Sequence, residues 1–179
     1  LLIMSSKEGK KRDVGTILVG FSVLMTGMSF MSQSVSPLAD MPIFQDILVM
    51  FQNPIAGILL GTVVTGVIQS SAASVGILQS LSMTGSITYG MALPIIMGQN
   101  IGTCVTALLS SIGTNKNAKR VTAVHVYFNV LGTVICLSGF YLLNAFIHFD
   151  FIDSPINALG IAIVHSLFNL LTTLILLPF

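Results

Sequence analysis

Long apolar blocks alternate with short polar clusters along this chain. Val14 to Met31 carries no charge and is rich in Gly and Met. A membrane-crossing helix needs about 20 apolar residues, so this block predicts a span. Ser32 to Asn53 holds Pro37, Asp40, Pro42 and Asp46 and reads as an interfacial connection with some short helix. Asn53-Pro54 then opens a helix, with Asn as cap and Pro in the first turn. Ile55 to Ile68 is apolar, Gln69-Ser70-Ser71-Ala72-Ala73-Ser74 is largely polar, and Val75 to Met83 is mostly apolar again. Further spans are expected over about 87–112, 121–145 and 155–177. Phe149 to Ser154, with Asp150 and Asp153, forms the loop between the last two.

The block from 54 to 83 admits two readings. One is a single tilted helix with a polar kink. The other is a re-entrant hairpin with its polar tip at mid-membrane, tolerated where that tip is buried or lines a cavity. Charge placement helps to choose. No Lys, Arg, Asp or Glu lies between Asp46 and Lys116. Basic residues favour cytoplasmic loops. Residues 7–12 and 116–120 share a side only if an even number of crossings separates them. The spans 14–31 and 87–112 supply two, so the 54–83 block must return to the side it left. A hairpin does this, as would two very short spans. The expected fold is an all-α membrane protein: about four transmembrane helices plus one re-entrant helical hairpin. Residues 1–13 read as a basic cytoplasmic loop and 14–179 as the membrane unit.

Composition agrees with the membrane reading. Hydrophobic residues make up 54% and charged residues 7%, against roughly 25% charged in soluble domains. Mean hydropathy is +0.95. A net charge of +1 gives no reason to expect nucleic acid as a partner. Cys104 and Cys136 lie in apolar segments and read as packing residues, not a disulfide framework. The start, Leu1-Leu2-Ile3 and then Lys7 to Arg12, lacks the order of a signal peptide. The chain therefore reads as a piece of a longer protein.

Two clusters carry candidate chemistry. If the helix breaks at Gln69-Ser70, the first N–H groups of the second arm, around Ser71 to Ala73, lack partners within their helix. They point at the tip with the positive end of the helix dipole, which suits an anion. The hydroxyls of Ser70 and Ser71 add donors without charge. The first arm ends near Thr65 to Ile68 with unpaired carbonyls, which suit a small cation such as sodium. Paired half-helices of this kind recur in transporters. The second cluster is Gly98-Gln99-Asn100-Ile101-Gly102-Thr103. Its glycines invite an unwound segment, with Asn100 and Thr103 turned to the hairpin tip.

Other polar positions have plainer expectations. Gly57 and Gly61 form a small-xxx-small pair suited to helix packing. The hydroxyls of Thr62 and Thr65 are expected to bond back to their own helix. Val124-His125-Val126-Tyr127-Phe128-Asn129 echoes Val164-His165-Ser166-Leu167-Phe168-Asn169. Each places His, Phe and Asn on one helix face, so His125 and His165 read as helix-to-helix hydrogen bonders more than as proton carriers. There is no acidic pair and no metal-ligand cluster, and no enzyme is expected. An intramembrane hydrolase built on Ser70 or Ser71 with His125 would lack the glycine-flanked serine such a site wants.

Gly61 to Ser71 resembles the Gln-Ser-Ser-Ser repeat of the sodium/phosphate cotransporter family. Pro94 to Thr103 is similar to that family's Gly-x-Asn-Ile-Gly-Thr segment. Lys119 to Thr133 resembles the next stretch of the family's second repeat, and His165 to Phe179 its last bacterial span. The resemblance implies one half of an inverted-repeat transporter, with a broken helix over about 87–112. Sodium and inorganic phosphate would bind between the repeats, sodium serving as coupling ion with no other cofactor. The expected substrate residues are Gln69, Ser70, Ser71, Asn100 and Thr103, and the expected sodium residues Thr65, Gln69 and Asn100. The other half would come from a first repeat of the same protein or from a second copy, in the plasma membrane. Two positions depart from the pattern: Ala72 replaces the third serine, and Cys104 stands where Thr or Ser is usual. A different small anion, or a membrane scaffold that does not transport, are the alternatives.

Overall fold

The computed structural model describes residues 9–35, 37, 41–43 and 50–178. Among the described residues there are six α-helices, in order α1 (Gly9–Val35), α2 (Pro54–Ile68), α3 (Ser71–Ser82), α4 (Tyr89–Ser110), α5 (Lys116–Ile147) and α6 (Ala158–Leu176). A 3-10 turn, Asp150–Asp153, lies between the last two. Helices α1, α4, α5 and α6 are long and apolar enough to cross a membrane, while α2 is apolar but shorter. The chain is an all-α membrane protein.

Helix α4 is its centre. Every residue from Met91 to Asn100 is buried. A helix buried on all sides must be apolar all round or have its polar groups paired. Leu78, Ile87, Met91, Ala92, Ile95, Ile96, Ile156 and Ile161 form one buried cluster around it. Leu93 and Met97 meet Leu137 and Phe168 in a second. The other long helices turn much of their apolar surface outward, as at Phe21, Val124 and Leu174.

The tightest seam is α2 against α4. A Cβ on Gly61 would collide with the Ile95 carbonyl oxygen, and one on Gly98 with the Ile58 carbonyl oxygen. A Cβ on Gly102 would lie 2.7 Å from the Thr62 oxygen. The glycines therefore let two backbones touch, as expected for Gly57 and Gly61. The same contact corrects the expectation for 98–103. The helix is continuous from Tyr89 to Ser110, because Gly98 and Gly102 serve close approach and not unwinding.

Several boundaries also move. Asn53 caps α2 as expected, its Oδ1 accepting from Ile55 N at 2.9 Å. Asn115 likewise accepts from Ala118 N at 2.9 Å, so Lys116, Lys119 and Arg120 begin α5 and do not sit in a loop. The helix that holds the span expected over 121–145 runs from Lys116 to Ile147, and the helix within 155–177 is Ala158–Leu176. Residues 9–13 already belong to α1. Residues 1–8 and much of 32–53, Asp40 and Asp46 included, lie outside the described residues.

At one end the start of α4 is tied to the α5–α6 connection. Tyr89 N donates to Ser154 O at 3.1 Å, and Ile156 N to Ile87 O at 2.9 Å. Gln79 Nε2 on α3 donates to Ala158 O on α6 at 3.0 Å. Phe140, Phe149, Phe151 and Tyr89 pack their rings over this junction.

Candidate functional site

The site is built around a break in the chain. Gln69 adopts a left-handed conformation, φ 57° and ψ 23°, and ends α2, its N–H bonding to Thr65 O. Ser70 is extended and caps α3, its hydroxyl oxygen accepting from Ala73 N at 3.2 Å. The polar cluster is therefore a true interruption and not a kink within one helix. Asn and Asp share the left-handed region more readily than Gln does, so this position is a marked one.

The break leaves defined donors. Ser71 and Ala72 occupy the first two helical positions of α3, where N–H groups have no intrahelical acceptor. Ala73 N is taken by Ser70 and is not free, which narrows the expected donor set. The carbonyl of Thr65 is likewise engaged by Gln69 N at 2.7 Å. Ser71, Ala72 and Ala73 line a cavity of about 580 Å³ with Leu24, Met28 and His165. Gln69 is exposed, while Ser70 and Ser71 are half-buried.

Two threonines act across helices, contrary to expectation. Thr62 Oγ1 donates to Gly98 O at 3.1 Å, and Thr65 Oγ1 donates to Ser74 Oγ at 2.7 Å. Both hydroxyls reach neighbours because the glycine seam and the helix break bring those neighbours within range.

Asn100 and Thr103 sit on α4. Asn100 is 5% exposed. Its Nδ2 donates to Ile96 O at 2.9 Å, and its Oδ1 meets His165 Nε2 at 3.1 Å. Thr103 Oγ1 donates to Asn100 O at 2.5 Å. His165 thus behaves as the helix-to-helix partner its sequence suggested. His125 differs: its carbonyl accepts from Asn129 Nδ2 at 2.9 Å and from Cys104 Sγ at 3.7 Å. The asparagine echo is real, since Asn169 Nδ2 bonds His165 O at 2.8 Å in the same way.

Gln99, part of the second polar cluster but not among the expected binding residues, turns out to tie α4 to the start of α3. It is 3% exposed, and its Nε2 donates to Ser74 O at 3.0 Å. Its Oε1 is buried with no partner among the described residues. The signal was an amide in an otherwise apolar helix, but sequence did not say which helix it would face. Cys104 and Cys136 are free. Among the described residues no cluster of His, Cys, Asp or Glu could hold a metal ion.

Long apolar helices around a pair of short ones, with an uncharged polar tip between them, define a polytopic helical membrane protein. Sequence comparison supplies its family: residues 24–160 match the Na+/Pi-cotransporter family, to which the chain belongs. It is 33% identical over 168 residues to the uncharacterized protein YqeW of Bacillus subtilis, covering 93% of this chain and 54% of that protein. It is 34% identical over 143 residues to the sodium-dependent phosphate transport protein 2A of Rattus norvegicus, covering 72% of this chain and 22% of that protein. It is 24% identical over 180 residues to the putative inorganic phosphate export protein YjbB of Escherichia coli, covering 100% of this chain and 33% of that protein. The chain thus spans about half or less of the length of these relatives. No solved structure matches it.

Proposed function

We propose that this chain is part of a sodium-coupled symporter that carries inorganic phosphate across the cell membrane. The observation that carries the reading is the broken pair α2–α3. Its uncharged donors at Ser71 and Ala72 border a large cavity that His165, the hydrogen-bond partner of buried Asn100, also lines. Helix N-termini bind phosphate-like anions through unpaired N–H groups. Ser70 and Ser71 add hydroxyls, and Asn100 and Thr103 complete the substrate side from α4. Sodium takes oxygen ligands from Gln69, Asn100 and the second lone pair of the Thr65 carbonyl. The name of the rat relative supplies both phosphate and sodium.

The α2–α3 pair is read as re-entrant. At ~1.5 Å per residue, its 15 and 12 residues reach roughly 22 Å and 18 Å. Both fall short of a hydrocarbon core of about 30 Å. Both basic segments, 7–12 and 116–120, then face the cytoplasm. The chain forms one half of the transport site, and an inverted first repeat of the same protein, or a second copy, forms the other. Support for a second half comes from the relatives' greater length.

The test is uptake of radiolabelled phosphate by the full-length protein in vesicles. Uptake that rises with an inward sodium gradient supports the reading, and uptake indifferent to sodium sinks the coupling. The name of the Escherichia coli relative favours a second reading, outward phosphate movement. Efflux from preloaded vesicles distinguishes the two.

A further inference from the structure

We propose that His165 is a positioning residue of this transport site, fixing the Asn100 amide from α6 while its ring walls the cavity at the start of α3. The inference rests on the transport reading above. Asn100 Nδ2 is committed to the Ile96 carbonyl at 2.9 Å. The group that faces His165 is therefore Oδ1, which can only accept. His165 Nε2 must carry the proton, at 3.1 Å, and Nδ1 is left as a lone pair. Flipping the amide would set Oδ1 against the Ile96 carbonyl oxygen, two acceptors face to face. The pair of bonds thus locks one amide orientation on a side chain that is 5% exposed.

His165 also reaches the cavity of about 580 Å³, sharing its wall with Ser71, Ala72 and Ala73. A single imidazole therefore connects the α4 amide to the space bordered by the α3 donors. Its counterpart in the repeated triplet does not do this. His125 meets α4 through its backbone carbonyl, which takes Cys104 Sγ at 3.7 Å. Its ring makes no hydrogen bond among the described residues. The two echoing histidines hence divide their work: α5 braces Cys104 with backbone, and α6 orients Asn100 with a side chain.

The experiment compares His165→Phe, His165→Gln and His125→Phe in the full-length protein. Sodium-dependent phosphate uptake is measured at equal amounts of folded protein in vesicles. His165→Phe should raise the phosphate KM or cut uptake about tenfold, the effect of losing one buried hydrogen bond. His165→Gln, which keeps an N–H donor, should recover most of that loss, and His125→Phe should match wild type. Wild-type rates in His165→Phe, or equal loss in both His165 variants, overturn the proposal. A second readout does not need transport. In nitrogen spectra of histidine-labelled protein, the signal lost in His165→Gln should report the Nε2–H tautomer and become mixed in Asn100→Leu. An unchanged tautomer in Asn100→Leu overturns the positioning role. Wild-type vesicles that take up no phosphate, with the tautomer as expected, refute the transport reading and leave the contact in place.

Discussion

Thr65 and Ser74 join hydroxyls 2.7 Å apart across the break between α2 and α3, and both side chains are buried. The bond links the last turn of one arm to the first turn of the other. Ser74→Ala should lower stability by about 1 kcal/mol, since a buried hydroxyl loses its acceptor. Thr65→Val should do the same, and the double variant should cost less than the sum. Thermal unfolding of the detergent-solubilised protein measures all three. Strict additivity would mean that the two hydroxyls do not interact.

The glycine seam makes a sharper prediction. Gly61→Ala and Gly98→Ala each push a methyl group into a backbone carbonyl of the facing helix. Overpacking of this kind costs about 1–3 kcal/mol, and here no flexible side chain can yield. Gly27→Ala and Gly139→Ala place their methyl groups in open space. The first pair should reduce the yield of monodisperse protein on size-exclusion chromatography, and the second pair should not.

Gln99 separates two views of its bare oxygen. An apolar replacement loses the bond to Ser74 O but also removes the buried unpaired oxygen, and the two effects oppose each other. Gln99→Leu should therefore leave the melting temperature close to wild type. Gln99→Glu should lower it, because a carboxylate cannot donate to Ser74 O and would be buried without a counterion. A larger loss in Gln99→Leu than in Gln99→Glu would show that Oε1 has a partner in the membrane.

Function can be probed at the tip. Ser71→Ala should lower phosphate uptake about tenfold, as one lost hydrogen bond to a charged ligand implies, while assembly is unaffected. Ala72→Ser should raise apparent phosphate affinity by adding a hydroxyl beside the cavity. A pure scaffold predicts no change in flux for either variant, and a loss of assembly for Ser71→Leu. Concentration-dependent uptake decides between them.

Much of the architecture was legible in the sequence because its signals are local. Asn53-Pro54 is a self-contained start signal, and Gln69-Ser70 is a polar stop inside apolar sequence. The misread positions are those where one residue type serves two ends. Glycine both loosens a helix and lets another approach, and nothing within Gly98 to Thr103 decides between these. The matching four-residue spacing of Gly57/Gly61 and Gly98/Gly102 was the available clue, and it lies in the pairing of two segments. Thr62 and Thr65 were misassigned for the same reason, since their acceptors become near only once the seam has formed. His165 and His125 look alike in sequence. Only the packing of α6 and α5 on different turns of α4 distinguishes them.

The seam also bears on how such a molecule can move. Where side chains interlock, helices slide by exchanging rotamers. Where backbone lies on backbone, as along Gly61, Gly98 and Gly102, there is nothing to exchange. The first arm and the central helix should then travel together as one stiff beam. The second arm is tied to that beam at Ser74, which takes bonds from Thr65 and Gln99, so a tilt at the two-residue break beyond Ile68 would have to release both while leaving the seam intact.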